Sequence, residues 1–254
     1  MTLSAESAGR IDLLFRMAER NGSLISVQEL SRYLPDGGSE SEIAEAIATH
    51  PSLGSRFEVS GGYLTPRAER RGPEALEREA VWRARARANL SHAARFASLL
   101  PPSGFEMVAV SGSTSYGSAS RSMDLDLFCV AREGKLWASV TQGLVMARFY
   151  KFLSPGSPQI CISCVMGLGY AAAQFSRAQS PLFARDALQT KVLKGPETYR
   201  SLMSAATWIS EYYPRAYEGK DLQPSRAGSP PNASTFERAA DRLLFSVVGR
   251  YLKF

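Results

Sequence analysis

Residues 108–130 read VAVSGSTSYGSASRSMDLDLFCV. Apolar runs flank a turn rich in glycine and serine, so the stretch predicts a strand, a tight turn opening a short helix, and a second strand over 123–131. On that second strand Asp124 and Asp126 are two apart, which places both carboxylates on one face and sends Leu125 and Leu127 to the other. Two aligned carboxylates repel and gain little as a structural device. A divalent cation removes the repulsion, and paired oxygen ligands suit Mg²⁺, which keeps waters and takes phosphate oxygens. At the other end of the stretch, Gly112 lets the backbone turn and approach a ligand, and Ser113 adds a hydroxyl donor. A helix beginning there offers N–H groups to phosphate. One end suits a triphosphate and the other suits its metal.

In this order and spacing, "GSTSYGSASRSMDLDL" resembles the motif of the DNA polymerase β-type nucleotidyltransferase superfamily. Gly112-Ser113 matches the family's Gly-Ser at a strand end, and Asp124-x-Asp126 matches the Asp-x-Asp of the next strand. Gly117 stands where a second glycine is frequent. The resemblance implies that Gly112, Ser113 and Gly117 bind the nucleotide phosphates, and that Asp124 and Asp126 are catalytic and hold Mg²⁺ (or Mn²⁺). It implies transfer of NMP from an NTP to a hydroxyl of RNA, DNA, protein or a small molecule, with release of pyrophosphate. A looser similarity, over about residues 90–215 and including "GKLW" and "ARDALQTKVLKGPETYRSLMSAATWISEYYP", extends to uncharacterised prokaryotic nucleotidyltransferase-domain proteins. The family usually carries a third carboxylate on a later strand. The matching strand here, "QICISCVM" (159–166), has no acid and offers Cys161 or Ser163 instead. Glu106 and Asp186 are the substitutes to weigh. A second reading therefore stands beside the enzyme: a catalytically degenerate member acting as an NTP-sensing or nucleic-acid-binding regulator. A third is an interaction module whose Asp pair holds a structural metal.

Upstream, residues 8–66 read as three helices and a hairpin, a pattern that resembles a winged-helix domain. Ser39 and Glu42 have capping-box spacing before Ile43, Ala46 and Ile47. "SGG" between "RFEV" and "YLTP" is a hairpin signal. The third helix carries Glu40, Glu42 and Glu45 and no Lys or Arg, so a DNA phosphate field repels it. Nucleic-acid contact and a protein partner both remain open for this part. The apolar stripe Trp82, Ala86, Leu90, Ala93, Ala97 predicts a connecting helix. Its arginines 83, 85, 87 and 95 are either a solvated face paired with nearby glutamates or a nucleic-acid surface. "LLPPSG" (99–104) ends it. Further on, the apolar face of helix 134–153 is read as Trp137, Val140, Leu144 and Ala147. The chain is read as mostly helical from Gly169, ending in an amphipathic helix over 235–254.

The organisation expected is a winged-helix-like domain (1–66), a connecting helix (67–100), a nucleotidyltransferase-like catalytic domain (101–200) and a C-terminal helical region (201–254). The fold class expected is α+β, a polymerase β-like mixed-sheet core with flanking helices preceded by the small domain.

The 254 residues carry a net charge of +6, which suits a phosphate-rich partner. Three cysteines in apolar surroundings read as reduced thiols, and with no basic-then-apolar opening and no long apolar run the expectation is a cytoplasmic protein without membrane contact. With two histidines a His-based metal cluster is excluded by count. Cys161 and Cys164 are one pair without two further zinc ligands, and strand alternation sends them to opposite faces. There is no Walker A motif and no dinucleotide fingerprint. Lys191, Lys194 and Arg200 are cations that a triphosphate or nucleic acid would meet if they are not simply solvated. Trp208, Tyr212 and Tyr213 are either base-stacking surfaces or core.

Overall fold

The structure, a computed structural model, describes residues 3–20, 22–67, 72–120, 124–220, 238–242 and 244–245. In chain order its elements are α1 (Ala5–Arg20), β1 (Ile25–Ser26), α2 (Val27–Tyr33), α3 (Glu40–Thr49), α4 (Pro51–Gly54), β2 (Phe57–Ser60), β3 (Tyr63–Pro66), α5 (Gly72–Leu99), β4 (Phe105–Val110), α6 (Gly112–Ser115), β5 (Leu125–Ala131), α7 (Leu136–Leu153), β6 (Ile160–Gly167), α8 (Leu168–Phe175), α9 (Pro181–Gln189), β7 (Lys191–Lys194), α10 (Pro196–Ala205), α11 (Ile209–Tyr212) and α12 (Pro214–Glu218). The chain is α+β. It forms two compact units, one of residues 1–84, 180–188 and 209–220, the other of 85–179, 189–208 and 221–254. None of the described helices is long and apolar enough to cross a membrane.

The first unit gathers α1, α2 and α3 with a three-stranded antiparallel sheet ordered β1-β3-β2. Ile11, Leu14, Phe15 and Ala18 form the buried face of α1. The hairpin closes at Ser60↔Tyr63 through Gly61 and Gly62, whose φ values of 57° and 82° give a two-residue turn only glycine adopts easily. The two-residue strand β1 is too short to carry a periodic signal. The capping box is present: Ser39 Oγ accepts from Glu42 N, and Glu42 Oε2 accepts from Ser39 N at 2.8 Å. Ser39→Ala is expected to lower stability by about 1 kcal/mol, read from a urea transition; an unchanged midpoint would mean that α3 is held by packing alone. Glu40, Glu42 and Glu45 are all exposed on this helix.

Two later segments complete this unit. The Arg185 guanidinium of α9 donates to Glu29 at 3.0 Å, and Tyr213 is buried edge-on against Tyr33. The apolar pattern in 209–213 therefore serves this core.

The second unit is built on a four-stranded mixed sheet ordered β6-β5-β4-β7. β4 runs antiparallel to β5 and β7, and β5 runs parallel to β6 through the α7 crossover. One face is covered by α5 and α7. Ala93, Phe96, Ala97 and Leu100 meet Val108, Val110, Leu125, Leu127, Cys129, Ala147 and Tyr150 in a single apolar cluster. On the opposite face Phe128 stacks on Phe175 of α8. Burying each large side chain of this kind stabilises by about 1.5–3 kcal/mol.

The described region from Gly169 to Lys220 is mostly helical, as expected, and holds one strand, β7: KVLK is a four-residue edge strand against β4. Two expectations are corrected here. α7 turns Ser139, Gly143, Ala147 and Tyr150 inward, while Leu144, Val145, Phe149 and Phe152 stay exposed. The small side chains let the helix lie close to the sheet: a Cβ on Gly143 would sit 2.4 Å from Ile162 Cδ1. Proximity of the backbone outweighs the larger apolar residues. β5 begins at Leu125, so Asp124 immediately precedes it, and the predicted Met123 lies outside the described residues. Of the predicted C-terminal helix, 238–242 and 244–245 are helical, and 235–237, 243 and 246–254 lie outside the described residues.

Candidate functional site

The antiparallel pair β4–β5 brings the two ends of the opening stretch together. Val110 pairs with Leu127, and one step further Ser111 N donates to Asp126 O at 3.0 Å. The next residue, Gly112, has φ 62°, and a Cβ there would lie 2.8 Å from Asp126 Oδ2. Glycine is favoured twice, by the backbone angle and by the carboxylate oxygen that a Cβ would crowd.

α6 is a single turn of four residues, locked by Ser115 Oγ donating to Gly112 O at 2.7 Å and by Ser118 N donating to Ser113 O at 3.1 Å. The expected helix start is thus a turn with local N–H groups, too short for a summed dipole. Ser113 is half-buried, and among the described residues its hydroxyl makes no hydrogen bond. Gly117, φ 79°, turns the chain out of α6, its N–H donating to Thr114 O at 3.1 Å.

Leu125 and Leu127 are fully buried, Asp126 is half-buried and Asp124 is exposed. Burial pushes the Asp126 carboxyl above its ordinary range, and the Asp124 charge pushes it further. The two carboxylates therefore feel each other, as i and i+2 spacing requires.

Across the parallel pair, Asp126 is opposite Cys161. Burial raises the Cys161 thiol, and the charges of Asp126 and then Asp124 raise it further, so a protonated thiol stands beside the carboxylates. A β-bulge shifts the register so that Phe128 pairs with Cys164. Asp126 and Phe128 share a face, so Cys161 and Cys164 share it too. This corrects the alternation that sends them to opposite faces. Ser163, within the bulge, is exposed and donates to Leu127 O at 3.1 Å. Among the described residues no group of three or more His, Cys, Asp or Glu is placed to hold a metal ion.

Glu106 is not a third carboxylate: it lies near the far end of β4, ion-paired with Arg132 at 2.8 Å. Asp186 belongs to the first unit, where burial raises its carboxyl to about 6. Of the three cations, Lys191 pairs with Val110 and so stands at the Gly112 end of the sheet. Lys194 donates to the carbonyls of Leu100 and Pro101 at 3.3 Å each, and Arg200 lies 3.9 Å from Glu197. Trp208 is buried with Nε1 donating to Phe175 O at 2.8 Å, and Tyr213 is core, so neither is a base-stacking surface.

The sequence reading missed a cleft of about 410 Å³ lined by Arg85, Asn89 and His92 of α5, Asp124, Lys151 of α7 and the loop 156–159. Its one early signal is the spacing of Arg85, Asn89 and His92, which puts them on one helix face.

No family model, no curated protein and no solved structure matches the chain.

Proposed function

We propose that this chain is a polymerase β-like nucleotidyltransferase that moves NMP from an NTP to a hydroxyl acceptor and releases pyrophosphate. The observation that carries the reading is the contact between the Gly112 turn and the Asp126 carboxylate, with Asp124 two residues before it. A phosphate-compatible turn and a carboxylate pair at one end of one strand pair is what such chemistry requires. The mixed sheet, with its parallel β5–β6 crossover, supports it.

The donor set fits one hard divalent ion. Asp124 and Asp126 would hold Mg²⁺ or Mn²⁺, with water and phosphate oxygens completing the shell. When bound, the ion supplies charge neutralisation and orientation at the phosphates. Gly112 admits the triphosphate close to the backbone, the Ser113 hydroxyl donates to it, and Lys191 stands at the same sheet end. The first unit, resembling a winged-helix domain, presents exposed Glu40, Glu42 and Glu45 on its third helix, which supports a protein partner there.

The test is incubation with each α-³²P-labelled NTP, Mg²⁺ or Mn²⁺, and cellular RNA or lysate. Label transfer that disappears in Asp124→Asn and Asp126→Asn is expected; transfer persisting in both variants would sink the reading.

A second reading, a degenerate member that senses NTP or binds nucleic acid as a regulator, is favoured by Cys161 standing opposite Asp126. Here Cys161→Asp discriminates. A third oxygen donor beside Asp126 is expected to tighten Mn²⁺ binding about tenfold or more, because ligand charge sets affinity. Transfer that appears only in this variant would decide for the regulator.

A further inference from the structure

Resting on the transferase reading, we infer that the acceptor is a single-stranded nucleic acid. Its phosphates bind Arg85 and Lys151 in the cleft beside Asp124, and its bases stack on the exposed face of α7.

Two independent observations converge. The first is unneutralised charge. Arg85 and Lys151 both line the cleft and are both partly buried, and among the described residues neither is in an ion pair. Lys151 is oriented by donating to Ser157 O, and this ties α7 to the loop that forms one wall. His92, its Nδ1 against the Tyr150 hydroxyl at 2.9 Å, and Asn89, donating to Thr114 Oγ1 at 3.4 Å, add polar groups on the α5 wall. Ser157, on the same wall, keeps its hydroxyl buried, without a hydrogen-bond partner among the described residues. Two cations against the single carboxylate Asp124 make the cleft an anion site. A volume of about 410 Å³ suits a nucleotide-sized segment.

The second observation is the exposed aromatic pair beside Lys151. Phe149 and Phe152 are 51% and 79% exposed, three residues apart on one helix surface, and alternate with Arg148 and Lys151. Cations that track a backbone, interleaved with aromatic faces open to stacking, are how single strands are held without reading their sequence. Arg87 and Arg95, both exposed on α5, extend the positive surface. The cleft meets Asp124, whereas Gly112 packs on Asp126. A strand end in the cleft and a triphosphate at Gly112 therefore approach the carboxylate pair separately.

The test uses the full chain and a fluorescein-labelled oligouridylate of about ten nucleotides, followed by anisotropy in EDTA. Mg²⁺-dependent binding of NTP is measured in the same proteins. Arg85→Gln and Lys151→Gln are each expected to weaken oligonucleotide binding about tenfold and to reduce the salt slope by about one. Phe152→Ala is expected to weaken it about tenfold with the slope unchanged. All three should leave NTP binding in place, and Arg85→Gln and Phe152→Ala should leave the melting midpoint in place as well. Oligonucleotide affinity unmoved by all three, with NTP still bound, would overturn the strand site alone. Loss of NTP binding in Lys151→Gln would overturn it by making the cleft the triphosphate site. Oligonucleotide binding that needs Arg85 and Lys151, with NTP bound by no variant and not by the parent, would support the strand site and overturn the transferase reading.

Discussion

Asp126→Asn is expected to raise the stability of the metal-free protein and at the same time to cut nucleotide transfer severely. The two effects have one cause. Asp126 is half-buried beside Asp124, and both burial and that neighbouring charge push its carboxyl above the ordinary 3.8. The folded state therefore binds this proton more tightly than the unfolded state does. For a carboxyl shifted in this direction, stability falls as pH rises from 3.8 through the raised folded value, and the deficit persists at neutral pH. Asparagine removes the charge and the deficit together. A divalent cation relieves the same deficit in the parent protein, so Mg²⁺ or Mn²⁺ should raise the parent's melting midpoint and leave that of Asp126→Asn unmoved. Transfer should drop by on the order of a hundredfold to a thousandfold, the range for losing one preorganised electrostatic contact. Thermal melts across pH 4 to 8, with and without the ion, check the first part, and the labelling assay checks the second. A variant that melts lower than its parent without metal would show that Asp126 is held by contacts more favourable than its surroundings indicate. Equal metal shifts in both proteins would remove Asp126 from the ion.

The stretch 108–130 was legible because its physics is local. Alternation fixes which way Leu125, Asp126 and Leu127 point, and a glycine after an apolar run marks the turn. The capping box at Ser39 and the Gly61-Gly62 hairpin are local in the same sense. What escaped depends on partners distant in sequence. KVLK reads as nothing in particular until β4 pairs with it. The inward face of α7 is set by how closely Gly143 lets the helix approach Ile162, and no hydrophobic pattern reports that. The β6 bulge reverses the expected orientation of Cys164 relative to Cys161, and bulges leave no mark in a run such as ICISCVM. The cleft draws on α5, α7 and the 156–159 loop, so Lys151 could not be connected to Arg85 from order alone. That QICISCVM carries no acid, by contrast, was visible at once, and the pairing adds only that Cys161 stands opposite Asp126.

Gly112→Ala is expected to disable the site with only a modest loss of stability. Two penalties act on it. Alanine at φ 62° costs about 1–2 kcal/mol, and its Cβ would lie 2.8 Å from Asp126 Oδ2. The second contact is to the end of a half-buried side chain, so the carboxylate can swing aside and the sheet can survive. The displaced group, however, is the one proposed to meet the ion and the triphosphate. Gly62→Ala supplies the control. Its φ of 82° imposes the same kind of backbone penalty, while among the described residues nothing lies within 4 Å of where its Cβ would be. Both variants should therefore lose a similar amount of stability in urea. Metal-induced stabilisation and NTP binding should fall only in Gly112→Ala. If the two variants lose stability equally and both keep full nucleotide binding, the contact between the turn and Asp126 has no part in function, and the reading built on it fails.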